Sequence, residues 1–84
     1  MQVGVQYTGA IGPSETKKFF TWNWSPAQHI IWTVVPQTVL PGAPQLEWQV
    51  SVERASAGSA TYWITIRNLT ATRTDFELRF AIVN

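Results

Sequence analysis

The sequence contains no cysteine, one histidine and one methionine, and only 13% of its residues are charged. Without cysteine there is no disulfide framework and no thiolate metal site, and the compartment stays open because a disulfide-free chain is compatible with any of them. A zinc or iron centre needs several His, Cys or carboxylate ligands, and His29 is the only imidazole. Among the five acidic residues, Glu47 and Glu53 lie six apart, roughly 20 Å along an extended strand. Asp75 and Glu77 are two apart with Arg79 next in the row, the pattern of an ion-paired outer strand face. No metal and no cofactor are expected.

Charge of one sign is equally scarce. Six Lys or Arg stand against five Asp or Glu, a net charge of +1. That is not the basic field of a nucleic-acid binder, so no nucleic-acid partner is expected. No segment reaches the roughly 18 apolar residues of a helical membrane span, and no membrane role is expected. Met1 to Gln6 alternate instead of placing an apolar run behind a charged start, which is not the pattern of a signal peptide. There is no Gly-x-Ser-x-Gly elbow and no Gly-rich phosphate loop. His29 reads as a structural histidine at a strand start, and a domain this small has little depth for a cleft between paired carboxylates. The chain is not expected to be an enzyme.

What is abundant is apolar surface. Hydrophobic residues make up 45% of the 84 and include five tryptophans. The charged share is about half the usual ~25%, which suggests that something covers part of the outer surface. Eighty-four residues give one domain, spanning 1–84.

Period-two alternation runs through the whole chain and predicts six strands. The first holds Val3, Val5 and Tyr7, and a Gly- and Pro-bearing loop follows to Thr16. Lys17 to Trp24 is expected to carry Phe20, Trp22 and Trp24 inward and Phe19, Thr21 and Asn23 outward. His29 to Val35 is apolar on both faces, the mark of a strand that is central or at an interface. Pro36 to Pro44 reads as a long crossing loop between sheets. Gln45 to Arg54 alternates most regularly, with Leu46, Trp48, Val50 and Val52 inward. Ala60 to Asn68 turns Tyr62, Ile64 and Ile66 one way and Trp63 and Arg67 the other; Thr74 to Val83 buries Phe76, Leu78, Phe80 and Ile82. The pattern is all-β, a small antiparallel β-sandwich of about six strands with a small barrel as the alternative. The stretch from Ile64 to Asn84, with Asn68-Leu69-Thr70 before a last strand, resembles the end of a fibronectin-type or immunoglobulin-like module. It lacks the corner tyrosine, with Phe76 the nearest aromatic, and the resemblance implies a sandwich only.

Two uses follow from the aromatics. Phe19, Ile31, Val35 and Trp63 are apolar residues on outward-facing positions, with Arg67 and Arg79 beside them. If their strands are neighbours they form an apolar outer patch, the surface of a non-catalytic interaction module that self-associates into a homo-oligomer. Alternatively, Asn23, Trp24, Trp63 and Arg67 combine indole rings with polar groups as a carbohydrate-binding, lectin-like surface does. The sequons Asn23-Trp24-Ser25 and Asn68-Leu69-Thr70 are read as chance.

Overall fold

The computed structural model describes residues 1–84. Six antiparallel strands form, Gln2–Ile11 (β1), Thr16–Trp24 (β2), Ile30–Pro36 (β3), Leu46–Ser56 (β4), Ser59–Asn68 (β5) and Thr74–Ile82 (β6). They make two three-stranded sheets, ordered β1-β6-β3 and β2-β5-β4, which stay open rather than closing into a barrel. The fold is a small β-sandwich. The chain changes sheet after β1, β2, β3 and β5, and only β4 and β5 are joined as a hairpin within one sheet.

The core lies between the two central strands. Ile64 and Ile66 of β5 pack against Phe76 and Leu78 of β6, joined by Ile11, Trp32 and Val34. Phe19, Trp24, Tyr62 and Phe80 close around this cluster, and Trp32 meets the rings of Trp24 and Tyr62 at 5.4 and 5.6 Å. Two glycines make room for aromatics on the inner side of β1. A Cβ on Gly4 would stand 2.9 Å from Phe80, and one on Gly9 would stand 2.7 Å from Tyr7.

Three expectations need correcting. On β2 the inner residues are Phe19 and Thr21, while Phe20 and Trp22 face solvent. On β4 Leu46, Trp48, Val50 and Val52 face inward as expected, but only Leu46 packs against the core and the other three remain exposed. The strand facing them, β3, has seven residues against eleven in β4, so it cannot cover their full length. And β3 is an edge strand rather than a central one, which leaves Ile31 exposed on the outer side.

One end of the sandwich is held by Asn68, which is 1% exposed. Its amide nitrogen donates to the carbonyls of Ile11, Gly12 and Thr72 at 3.1, 3.0 and 2.9 Å. Its oxygen accepts from the backbone N–H and the hydroxyl of Thr70. A single side chain thus joins the turn after β1 to the turn before β6, across the two sheets. The Asn68-Leu69-Thr70 triplet is a structural motif whose amide is fully engaged. At the open β3/β4 edge, the Trp48 indole N–H donates to the Trp32 carbonyl at 3.2 Å and ties the sheets there.

Asn68→Ala takes the side-chain donor from the Ile11 carbonyl and the acceptor from the Thr70 N–H, a loss of about 2–3 kcal/mol, while the Gly12 and Thr72 carbonyls keep the Glu15 N–H and the Thr70 and Thr74 hydroxyls as donors. Thermal unfolding followed by circular dichroism is expected to show a Tm lower by roughly 10–20 °C, given about 4–8 °C per kcal/mol for a domain of this size. An unchanged Tm would remove Asn68 from its structural role.

Candidate interaction surface

The strand register arranges the outer face of the β2-β5-β4 sheet in rows of three. Thr16, Arg67 and Glu47 form the first row, and Lys18, Thr65 and Gln49 the second. Phe20, Trp63 and Ser51 form the third, and Thr61 and Glu53 begin a fourth that Trp22 completes on the β2 side. The aromatic residues therefore fall together. Phe20 stacks on Trp63 at a centroid distance of 5.0 Å, and Trp22 lies 5.8 Å from Phe20. The three rings are 56%, 36% and 67% exposed for Phe20, Trp63 and Trp22. Thr61, on the same face, is nonetheless buried.

Polar groups border the cluster. The Trp63 indole N–H donates to a Glu53 carboxylate oxygen at 3.2 Å. Arg67 and Glu47, cross-strand neighbours in the first row, pair at 3.4 Å with both side chains more than half exposed. Such a pair contributes little to stability and serves mainly to keep the end of the face hydrated.

A β-bulge puts Trp22 on this face. Between Thr21 and Trp24 the strand advances three residues while β5 advances two, from Tyr62 to Ala60. The extra residue includes Asn23 at φ +69°, in the left-handed region that asparagine tolerates better than most side chains. Past the bulge the alternation has reversed, so Trp24 turns inward against Trp32 and Phe80. A second bulge on β1 lies between Val5 and Tyr7, which keeps Val5 outside opposite Arg79 and brings Tyr7 inside onto Phe19 and Phe76. The two irregularities meet at buried Thr21, whose hydroxyl accepts from Gln6 and from the Trp24 indole at 3.2 and 3.0 Å.

The sites named from the sequence are divided by this arrangement. Of the expected self-association patch, Trp63 and Arg67 lie on the β2-β5-β4 face. Ile31, Val35 and Arg79 lie on the outer face of the other sheet, because β3 belongs to it. Phe19 is in the interior, with ring contacts to Tyr7 and Phe76 at 4.9 and 5.9 Å. The sequence-named sugar contacts separate likewise. Trp24 packs in the core and Asn23 occupies the bulge, so neither joins Trp63 and Arg67. Phe20, Trp22 and Glu53 take their place beside Trp63, and the only local sequence signal for it was an asparagine, which tolerates positive φ, between two tryptophans.

The outer face of the β1-β6-β3 sheet is aliphatic instead. Val3 and Ile31 flank Ala81, and Val5 and Thr33 flank Arg79. Arg79 is held by Glu77 at 2.8 Å, the ion pair expected for this strand. Three grooves of 320, 380 and 410 Å³ mark the surface, and that of 320 Å³ reaches Ile64 and Leu78 of the core. No three His, Cys, Asp or Glu side chains gather where they could hold a metal ion. His29 is exposed and is engaged through its backbone, whose N–H donates to the Asn84 side chain at 2.6 Å. No protein-family model, curated protein or solved structure matches this chain.

If the bulge sets the direction of Trp22, the residue at position 23 controls it. Asn23→Gly keeps the left-handed conformation and is expected to leave the fold intact, whereas Asn23→Val strains it by about 1–2 kcal/mol. Thermal melts of both variants check this. Equal Tm values would mean that the positive φ is not required.

Proposed function

We propose that this chain is a non-catalytic interaction module that assembles with copies of itself. The observation that carries the reading is the cluster of Phe20, Trp22 and Trp63, outward-facing on a sheet with no layer above it. Three contiguous rings, two of them stacked across paired strands, make a compact patch whose ordering on contact costs little entropy. Large aromatics in a well-packed patch are also the residues that dominate binding energy at interfaces.

The rest of the surface supports the same reading. Only 13 of 84 residues are buried, while Val3, Val5, Ile31, Trp48, Val50 and Val52 are exposed on other surfaces. With a total accessible surface of 5292 Å², the chain leaves much of its apolar content uncovered. A second copy that also exposes such surface is the simplest cover, and closed symmetric assemblies are its usual form.

Light scattering coupled to size exclusion tests the proposal on the wild type beside a Phe20→Ser/Trp22→Ser variant. Both side chains are more than half exposed, so the double change is expected to leave the fold intact. The wild type is expected to run as a defined oligomer and the variant as a 9.5 kDa monomer. A wild type that stays monomeric at high concentration contradicts the proposal.

One observation favours a second reading, a carbohydrate-binding surface: the exposed rings have the Glu53 carboxylate, Ser51 and Gln49 beside them on the same face. Aromatic rings stack on the apolar face of a pyranose while neighbouring polar groups take its hydroxyls. That reading predicts a change in tryptophan fluorescence on adding sugars, abolished by Trp22→Ser. Silence across a glycan array removes it.

A further inference from the structure

The outer face of the β2-β5-β4 sheet carries four charged side chains, and two of them pair with each other. Arg67 and Glu47 are joined at 3.4 Å. Lys18 has no ion pair, because the only others in the chain are Lys17 with Glu15 and Arg79 with Glu77. Glu53 has no cationic partner either, and one of its oxygens accepts the Trp63 indole N–H. The face is left with one unpaired positive charge and one unpaired negative charge.

Their placement is symmetric about Trp63. Lys18 lies one row toward the Arg67 end on β2, opposite Thr65. Glu53 lies one row toward the hairpin on β4, opposite Thr61. With strands ~4.8 Å apart and ~6.8 Å per two residues, each Cα stands roughly 8 Å from that of Trp63, in opposite directions. On this basis we infer that a second copy docks face to face on this sheet, with a two-fold axis through the Trp63 contact and Lys18 of each copy against the partner's Glu53. The inference rests on the self-association proposed above and names its surface and symmetry.

A two-fold axis lying between the sheets, perpendicular to the line from Lys18 to Glu53, exchanges these two positions. One symmetry operation then makes two ion pairs around a central aromatic contact. Strands of the two copies cross at roughly 70°, closer to the orthogonal class of sheet packing than to the aligned one. In that arrangement each Phe20 ring falls near the partner's Thr61, one row from Trp63. The Arg67–Glu47 pair falls outside the contact, where it stays hydrated. A standard interface takes about 800 Å² from each partner, roughly 15% of the 5292 Å² here. The opposite sheet lacks this self-complementarity, since its one outward cation, Arg79, is already satisfied by Glu77.

The test is a charge exchange. Sedimentation equilibrium is measured on the wild type, Lys18→Glu, Glu53→Lys and the double variant, with Ile31→Ser on the opposite face as a control. Circular dichroism melts establish that each variant is folded. The wild type is expected to be a dimer. Each single change places like charges together twice and is expected to weaken the dimer at least tenfold; the double change restores it to within a few-fold, and Ile31→Ser leaves it unchanged. A dimer indifferent to both single changes, or a double variant that does not recover, overturns the inference while self-association stands. A monomeric wild type overturns both, and a sugar response from that monomer would assign the face to carbohydrate instead.

Discussion

Each sheet has three strands and therefore one strand with neighbours on both sides. That narrow width limits how much apolar surface the two sheets can cover. Six of the nine buried apolar residues, Ala60, Ile64, Ile66, Phe76, Leu78 and Ile82, belong to the two central strands β5 and β6. The four edge strands can present only part of their inner faces to the opposite sheet, and β4 shows the result, with Val50 and Val52 exposed on the side that faces the core. A sandwich this narrow cannot bury 45% hydrophobic residues within itself.

The two bulges distribute the surplus. Without the extra residue in β2, Trp22 and Trp24 would share one face. With it, Trp24 completes the wall around Trp32 while Trp22 joins Phe20 and Trp63 outside. The extra residue in β1 does the same for Tyr7 and Val5. Both distortions are anchored on the Thr21 hydroxyl, and Asn68 locks the end of the sandwich where the sheet-crossing turns meet. Local backbone irregularity thus decides which aromatics serve the core and which are left exposed.

The strands themselves were legible because alternation over 6 to 10 residues is a strong local signal. All six expected strands overlap the observed ones, the turn signals between them pointed to a sandwich or small barrel, and the loop from Pro36 to Pro44 does cross between sheets. Facing was legible where the strand is regular: Ile64, Ile66, Phe76 and Leu78 are inside as the pattern requires. It was lost on β2, where the rule of two assigns Trp22 and Trp24 the same side and an asparagine at positive φ reverses the count. Strand neighbours were not legible either. The grouping of Ile31 with Trp63 assumed a pairing that long-range contacts decide, and no local property of β3 reveals that it joins β6. Asn68 looked like a sequon, because its role depends on carbonyls more than fifty residues away in the chain.

If another copy covers the Phe20, Trp22 and Trp63 cluster in solution, as proposed, the exposure of these rings depends on protein concentration. Hydroxyl-radical footprinting at low and high protein concentration measures this most directly. Strong oxidation of these three side chains is expected in dilute solution and marked protection when concentrated, with exposed Val39, outside the sheets, equally reactive at both. Unchanged reactivity of the three rings across the concentration range, in a protein that remains folded, would contradict it.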